Sequence, residues 1–362
     1  MNITLVAGTR PNFMKISPIL RSMKTFPELK PYLIHTGQHY DHKMSDVFFR
    51  ELGIPEPDVN LDVGSGSHAV QTAKIMTAFE EVAIQQKCDL ILVVGDVTST
   101  MACALVAAKL QIPVAHVEAG IRSFDRTMPE EINRIVTDAV SDYLFPPTQT
   151  GVDNLLQEGI PNKKIFLVGN VMIDTLLYQK ESALQTTILK DLTLEGKDYA
   201  LMTMHRPSNV DDPEVLERIL RTVEEIQNQL PVIFPMHPRT RTRITEFGLQ
   251  AYLDSTKNLR IMEPISYLES LNLMIHSKFV LTDSGGIQEE TSALNIPCLV
   301  MRENTERVEL VEFGTSVLVG SNPDKILNEV GQIIEGTFKD AYLPELWDRH
   351  ASERIVKVLS QL

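Results

Sequence analysis

Short apolar runs, each ending in a polar or Gly-containing turn and leading into a stretch of helical periodicity, recur along the chain. In the first half they are Ile3–Ala7, Tyr32–Thr36, Leu90–Val94, Val114–Val117, Tyr143–Phe145 and Ile165–Val168; Tyr199–Thr203, Val232–Phe234, Phe279–Thr282 and Cys298–Met301 follow. Most are continuously apolar rather than alternating, the pattern of a parallel strand covered on both faces. Between the first set lie the periodic segments Ile16–Lys24, Ala69–Gln86, Met101–Leu110 and Gly151–Glu158. Strands alternating with helices predict an α/β fold on doubly wound parallel sheets. With 362 residues the chain has room for two such domains. The polar stretch Gln179–Asp198 reads as surface helix and loop near the crossover, and the helices Asp324–Glu335 and Glu353–Leu362 close the pattern.

Composition narrows the function. A net charge of −14 argues against nucleic acid as the main partner, because such binding rests on neutralising phosphates. No apolar run approaches the ~18 residues of a membrane span, and Met1–Gly8 reads as a strand rather than a signal peptide. Cys88, Cys103 and Cys298 are far apart, which argues against a disulfide framework or a cysteine zinc site and for a reducing, cytoplasmic setting. His35, His39 and His42 straddle a strand end and a Gly turn, so the regular spacing of a metal site is not expected and no metal is assigned.

Ligands of doubly wound sheets bind outside the carboxyl ends of the strands, and those ends hold the reactive residues. The first strand ends in Gly8-Thr9-Arg10-Pro11, where Arg10, Lys15 and the N–H groups of a new helix could converge on an anion. Asp96 follows Leu90–Val94, Glu118 follows Val114–Val117, and Glu131 lies in the first turn of a helix that opens at Pro129. Carboxylates held close raise one another's pKa, so that one can serve as acid while another stays a base. In the second half, His205 and Arg206 come directly after an apolar strand. The stretch Thr282-Asp283-Ser284-Gly285-Gly286 reads as a strand end and a tight turn whose helix N-terminus suits a phosphate. Glu290, a turn further on, is placed to accept hydrogen bonds from a ribose diol. No Gly-x-Gly-x-x-Gly follows the first strand, so no nicotinamide cofactor is expected.

Taken together, Gly8-Thr9-Arg10-Pro11, Gly95-Asp96, His116–Arg122, Pro129–Arg134, Gly169-Asn170, His205-Arg206, Thr282–Glu290 and Arg302–Arg307 resemble the non-hydrolysing UDP-N-acetylglucosamine 2-epimerase family, in the family's order and over nearly the whole chain. The resemblance implies a glycosyltransferase-B architecture, two Rossmann-like domains facing across a cleft. Residues 1–168 plus 347–362 would form the first domain, with the catalytic carboxylates, and 169–346 the second, which binds UDP. It implies reversible epimerisation at C2 between UDP-N-acetylglucosamine and UDP-N-acetylmannosamine through an enzyme-held glycal, without a cofactor, in a homodimer that supplies surface polysaccharide. Carried across by motif, Asp96, Glu118, Glu131 and His205 become catalytic. Arg10, Lys15, His205, Arg206, Ser284, Gly285, Gly286 and Glu290 become substrate contacts.

The chain departs from many bacterial relatives at Pro207-Ser208 and Tyr40–Met44, around the family's second, activating substrate site, so activation there is not expected. The hydrolysing branch, which usually shows Gly-Asp-Arg and Glu-Gly-Gly, differs from Gly95-Asp96-Val97 and Glu118-Ala119-Gly120. A glycosyltransferase of the same architecture would need an acceptor surface, and no such stretch is visible.

Overall fold

Strand β1 (Asn2–Ala7) buries every residue after Asn2, and in β4 (Leu90–Val94) all five side chains are buried. Continuous burial of this kind requires cover on both faces, and the helices supply it. A computed structural model describes residues 1–37, 53–254 and 256–362. They form two compact units, Met1–Tyr178 with Glu345–Leu362, and Gln179–Pro344.

The first unit is built on six parallel strands among the described residues: β1, β2 (Lys30–His35), β3 (Val59–Asn60), β4, β5 (Val114–Val117) and β6 (Tyr143–Phe145). Their order is β3-β2-β1-β4-β5-β6. The second unit repeats the plan with β7 (Ala200–Thr203), β8 (Val232–Pro235), β9 (Leu259–Met262), β10 (Phe279–Thr282), β11 (Cys298–Val300) and β12 (Ser316–Leu318), ordered β12-β11-β10-β7-β8-β9. Its core shows why its strands read as unbroken apolar runs. Met202, Phe234, Phe279 and Leu281 lie in one buried cluster, whereas their neighbours Leu201, Ile233 and Val280 lie in another. Successive side chains point to opposite faces, and both faces are covered.

In each unit the chain builds outward on one side and then jumps across its first strand. The reversal falls between β1 and β4 in the first sheet, and between β7 and β10 in the second. Strand ends diverge at such a switch point and leave a crevice for a ligand.

Three strands lie outside the apolar runs read from sequence. β3, β9 and β12 are sheet edges and only partly buried, so their sequences are short or mixed. Ile165–Val168, expected as a strand, is not one. Phe166 and Val168 donate to the carbonyls of Leu144 and Pro146 along the β6 edge, but a single bridge, Leu144 with Ile165, is all that forms.

Residues 345–362 return to the first unit. The carboxylate of Asp174 accepts from the Ala351 N–H at 3.2 Å, the Ser352 N–H at 2.7 Å and the Ser352 hydroxyl at 2.6 Å, capping the helix Ala351–Leu359. Trp347 Nε1 donates to the Pro147 carbonyl, and Ser22 to Ser352. All three cysteines are free thiols. Among the described residues no helix is long and apolar enough to cross a membrane, and no group of three or more His, Cys, Asp or Glu is placed to hold a metal ion.

Candidate active site

The carboxyl ends of β1, β4 and β5 bring Lys15, Asp96 and Glu118 to one edge of the first sheet. Pro at the second position of the helix Arg10–Met23 starts it directly after β1. Asn12 fixes the entry: its Oδ1 accepts the N–H groups of Gly8 and Thr9, and its Nδ2 donates to the Val94 carbonyl at the end of β4. One turn on, Lys15 is buried, and its ammonium lies 2.6 Å from Glu118 Oε2. Arg10, from the same helix, is exposed. Gly95 makes this contact possible, because a Cβ added there would come 2.7 Å from Lys15 Nζ and its φ is +68°.

Glu118 follows β5 at φ +70°, a left-handed conformation costly for a non-glycine residue. Its Oε1 is buried and has no hydrogen-bond partner among the described residues. A buried carboxylate oxygen without a donor is rare.

Asp96, half-buried, is paired with Arg134, whose Nη1 lies 2.5 Å from Asp96 Oδ2. Arg134 also donates through Nε at 2.9 Å and Nη2 at 2.7 Å to Glu131 Oε2. Glu131 further accepts the N–H groups of Ser123 at 3.0 Å and Phe124 at 2.8 Å. Burial pushes its carboxyl up, but these N–H donors and the Arg134 charge outweigh that and hold it below the usual range. Glu131 is thus a filled carboxylate, and Asp96 the more open one.

In the second unit the switch point gathers His205, Arg206 and Asp283. Asp283 is completely buried and accepts the N–H of His205 at 3.0 Å, the N–H of Arg206 at 2.8 Å and Asn209 Nδ2 at 3.1 Å. Its Oδ1 also lies 3.1 Å from His205 Nδ1. Burial alone would raise the Asp283 carboxyl; the His205 contact and the backbone donors overcome it and lower the pKa. This fixes the His205 ring through Nδ1, and its side chain is 44% exposed. His237 stacks beside it at 5.6 Å between centroids, and burial first, then the charges of His205 and Arg239, lower its own pKa.

The helix Gly285–Ala293 begins at once after β10, and the Ser284 side chain makes no capping bond to it. Its first N–H groups are therefore not taken by Ser284, as an anion site requires. Gly285 lies against a buried ion pair: an added Cβ would meet Glu306 Oε1 at 2.7 Å and Arg302 Nη1 at 4.0 Å. Arg302 donates to Glu306 through Nη2 at 2.8 Å, and its buried Nη1 has no hydrogen-bond partner among the described residues. Glu290 is buried and receives the Tyr267 hydroxyl at 3.0 Å.

The Glu306 carboxyl yields a prediction. Burial works to raise it, but the charges of Arg307 and Arg302 bring it from 4.5 to about 2. A carboxyl depressed in the folded state stabilises fully above its unfolded pKa and loses that contribution as pH falls through the folded value. Glu306 is thus expected to contribute about 3 kcal/mol near neutrality, lost progressively from pH 4.5 towards 2. Urea titrations of wild type and Glu306→Gln across this window would show the difference between them closing; a constant difference rejects the assignment.

Sequence reasoning named Asp96, Glu118, Glu131, Lys15, His205 and Glu290 but not the groups that hold them. Arg134 had a visible signal, its i, i+3 spacing from Glu131. Tyr267 had none, since nothing local ties it to Glu290. Of the three histidines weighed as metal ligands, His35 is buried edge-on against Phe13, with its pKa lowered by burial. His39 and His42 lie outside the described residues, as do Tyr40–Met44, whereas Pro207 and Ser208 are exposed at the start of a short helical turn.

A family model described as UDP-N-acetylglucosamine 2-epimerase matches residues 21–360. The UDP-N-acetylglucosamine 2-epimerase of Methanocaldococcus jannaschii is 43% identical over 99% of both chains. The UDP-2,3-diacetamido-2,3-dideoxy-D-glucuronate 2-epimerase of Pseudomonas aeruginosa is 42% identical over 100% of both. A crystal structure of the M. jannaschii enzyme, in complex with UDP-GlcNAc and UDP, superposes with a TM-score of 0.90 at 43% identity and covers 100% of each chain. This chain therefore belongs to the UDP-N-acetylglucosamine 2-epimerase family.

Proposed function

We propose that the protein interconverts UDP-N-acetylglucosamine and UDP-N-acetylmannosamine without hydrolysis, and that its product feeds surface polysaccharide. The carrying observation is the pair of carboxylates on adjacent strand ends: Asp96 is held by Arg134, and Glu118 has a buried Oε1 with no hydrogen-bond partner among the described residues. One takes the proton from C2 of the sugar while the C1–oxygen bond breaks and UDP leaves with the bonding electrons, giving a C1=C2 glycal. Protonation of C2 on the opposite face and return of the UDP oxygen to C1 complete the turnover. Two carboxyl groups suit a reaction that must address both faces of one carbon, each such catalyst being worth about 10²–10⁴ in rate.

Glu131, already filled by four donors, serves to hold Arg134 and through it Asp96. The helix N-terminus at Ser284-Gly285-Gly286 and Arg302 Nη1 would take the departing diphosphate, with Arg10, Lys15, Arg206 and His205 as further phosphate contacts. His205, through its exposed edge, would protonate or steady the leaving oxygen, and Glu290 would take the ribose hydroxyls. No cofactor enters this chemistry.

Proton NMR with UDP-N-acetylglucosamine in deuterated water tests the reading. UDP-N-acetylmannosamine carrying deuterium at C2 is expected. Free N-acetylmannosamine and UDP as end products would assign the hydrolysing reaction, and an unchanged spectrum with bound substrate would overturn epimerisation.

The P. aeruginosa relative supports a second reading of the sugar, since its identity of 42% nearly equals the 43% of the M. jannaschii enzyme. Epimerisation at C2 is common to the names of both enzymes. Running the same experiment with UDP-2,3-diacetamido-2,3-dideoxy-D-glucuronate compares the two substrates directly, and the higher kcat/KM decides between them.

A further inference from the structure

The motif that supplies Glu118 also supplies His116, to which the proton chemistry gives no task. His116 is fully buried on β5, two residues before Glu118. Its Nδ1 lies 2.6 Å from Asp138 Oδ1, and its Nε2 lies 2.8 Å from the carbonyl oxygen of Gly95. Asp138, from the helix Pro129–Val140, is also completely buried. Its Oδ2 accepts the Gly120 N–H at 3.0 Å and meets Arg122 Nη2 at 2.7 Å. Arg122 extends the chain to Glu158 with hydrogen bonds of 2.7 and 2.6 Å. Burial tends to raise the Asp138 carboxyl, but the His116 contact, the Arg122 charge and the Gly120 N–H lower it. Independently of His116, Oδ2 faces only donors, the Gly120 N–H and the Arg122 guanidinium, as an ionised carboxylate requires.

Two acceptors therefore face one ring. A carbonyl oxygen has no proton to offer, and an ionised carboxylate has none either. Both contacts form only when both ring nitrogens carry hydrogen; a singly protonated ring would set a lone pair against a buried acceptor. The two contacts also reach the backbone on either side of the reactive pair. Gly95 immediately precedes Asp96 on the β4 turn, and Gly120 lies two residues beyond Glu118 on the β5 turn. The strained φ of Glu118 persists because the surrounding turn is over-determined in this way.

We propose that His116 is a positioning residue, a ring protonated on both nitrogens that acts with Asp138 and Arg122 to fix the β4 and β5 turns, and so to set Asp96 and Glu118 relative to each other. This rests on the reading that those two carboxylates move the C2 proton. His116 itself is enclosed, with both nitrogens engaged, and touches no substrate.

A long-range proton–nitrogen correlation spectrum of the unliganded protein tests the two-donor ring without any turnover. Two downfield ring N–H protons are expected, assigned to His116 by their loss in His116→Gln; a single ring N–H overturns the proposal. Steady-state kinetics tests the positioning. His116→Gln, whose amide offers a donor to one acceptor but an oxygen to the other, is expected to lower kcat by roughly 10²-fold with KM within about threefold of wild type. Asp138→Asn, kept as a second variant should His116→Gln not fold, is expected to show the same split between kcat and KM. Unchanged kcat in a folded variant, or a loss confined to KM, overturns it. If wild type binds substrate but does not exchange the C2 proton, the epimerase reading fails, while the ring spectrum still decides the two-donor arrangement.

Discussion

Glu118→Gln is expected to lower the rate of C2 proton exchange by roughly 10³-fold. Glutamine keeps the size of the side chain and can still accept from Lys15, 2.6 Å away in the native pair. What it loses is the ability to take up and return a proton. The buried Oε1, unpartnered among the described residues, is the atom from which that ability disappears. The check is the decay of the C2–H signal of UDP-N-acetylglucosamine in deuterated water, with substrate affinity measured separately by calorimetry. Affinity within a few-fold of wild type and exchange near background is the expected outcome. Exchange at the wild-type rate would move the proton chemistry away from Glu118.

Asp283→Ala is expected to destabilise the second unit by about 3–5 kcal/mol. The carboxylate has no exposed surface and organises the β7 turn, taking the N–H groups of His205 and Arg206 and the amide of Asn209. Its removal leaves these donors buried without their acceptor and takes away the charge facing His205 Nδ1. Amide hydrogen exchange across Ala200–Thr203 and Phe279–Thr282, the two strands joined at this switch point, reads the loss directly. Protection within about 1 kcal/mol of wild type would show that Asp283 is not the keystone of the turn. The charge also sets a pH dependence: because the folded carboxyl is depressed, its contribution is complete above the ordinary aspartate pKa and fades as pH falls through the folded value.

The fold was legible because its central strands are covered on both faces. Burial on both sides demands an apolar residue at every position, and such runs as Leu90–Val94 and Phe279–Thr282 stand out in the sequence. Edge strands lack that demand, so Val59–Asn60 and Ser316–Leu318 carry no comparable mark. The strand-end positions of Asp96, Glu118 and His205 were legible for a related reason: a polar residue directly after a buried strand lies at the carboxyl edge of the sheet, the edge at which doubly wound sheets bind ligands. Their supports were not. Asp138 meets His116 across 22 positions and Tyr267 meets Glu290 across 23, and local sequence carries no signal for a contact made by tertiary folding. Glu131, whose type and position suggest a proton carrier, also accepts the N–H groups of Ser123 and Phe124, contacts that the sequence does not announce.

The return of residues 345–362 to the first unit bears on the order in which the protein is made. The Gln179–Pro344 unit is one uninterrupted segment and can close as soon as it leaves the ribosome. The earlier unit cannot, because the N–H groups that fill the Asp174 carboxylate belong to Ala351 and Ser352, and the indole that reaches Pro147 belongs to Trp347. During synthesis the segment translated first therefore waits, with the Asp174 carboxylate and Ser22 lacking their Ala351 and Ser352 partners, while the segment translated second is completed.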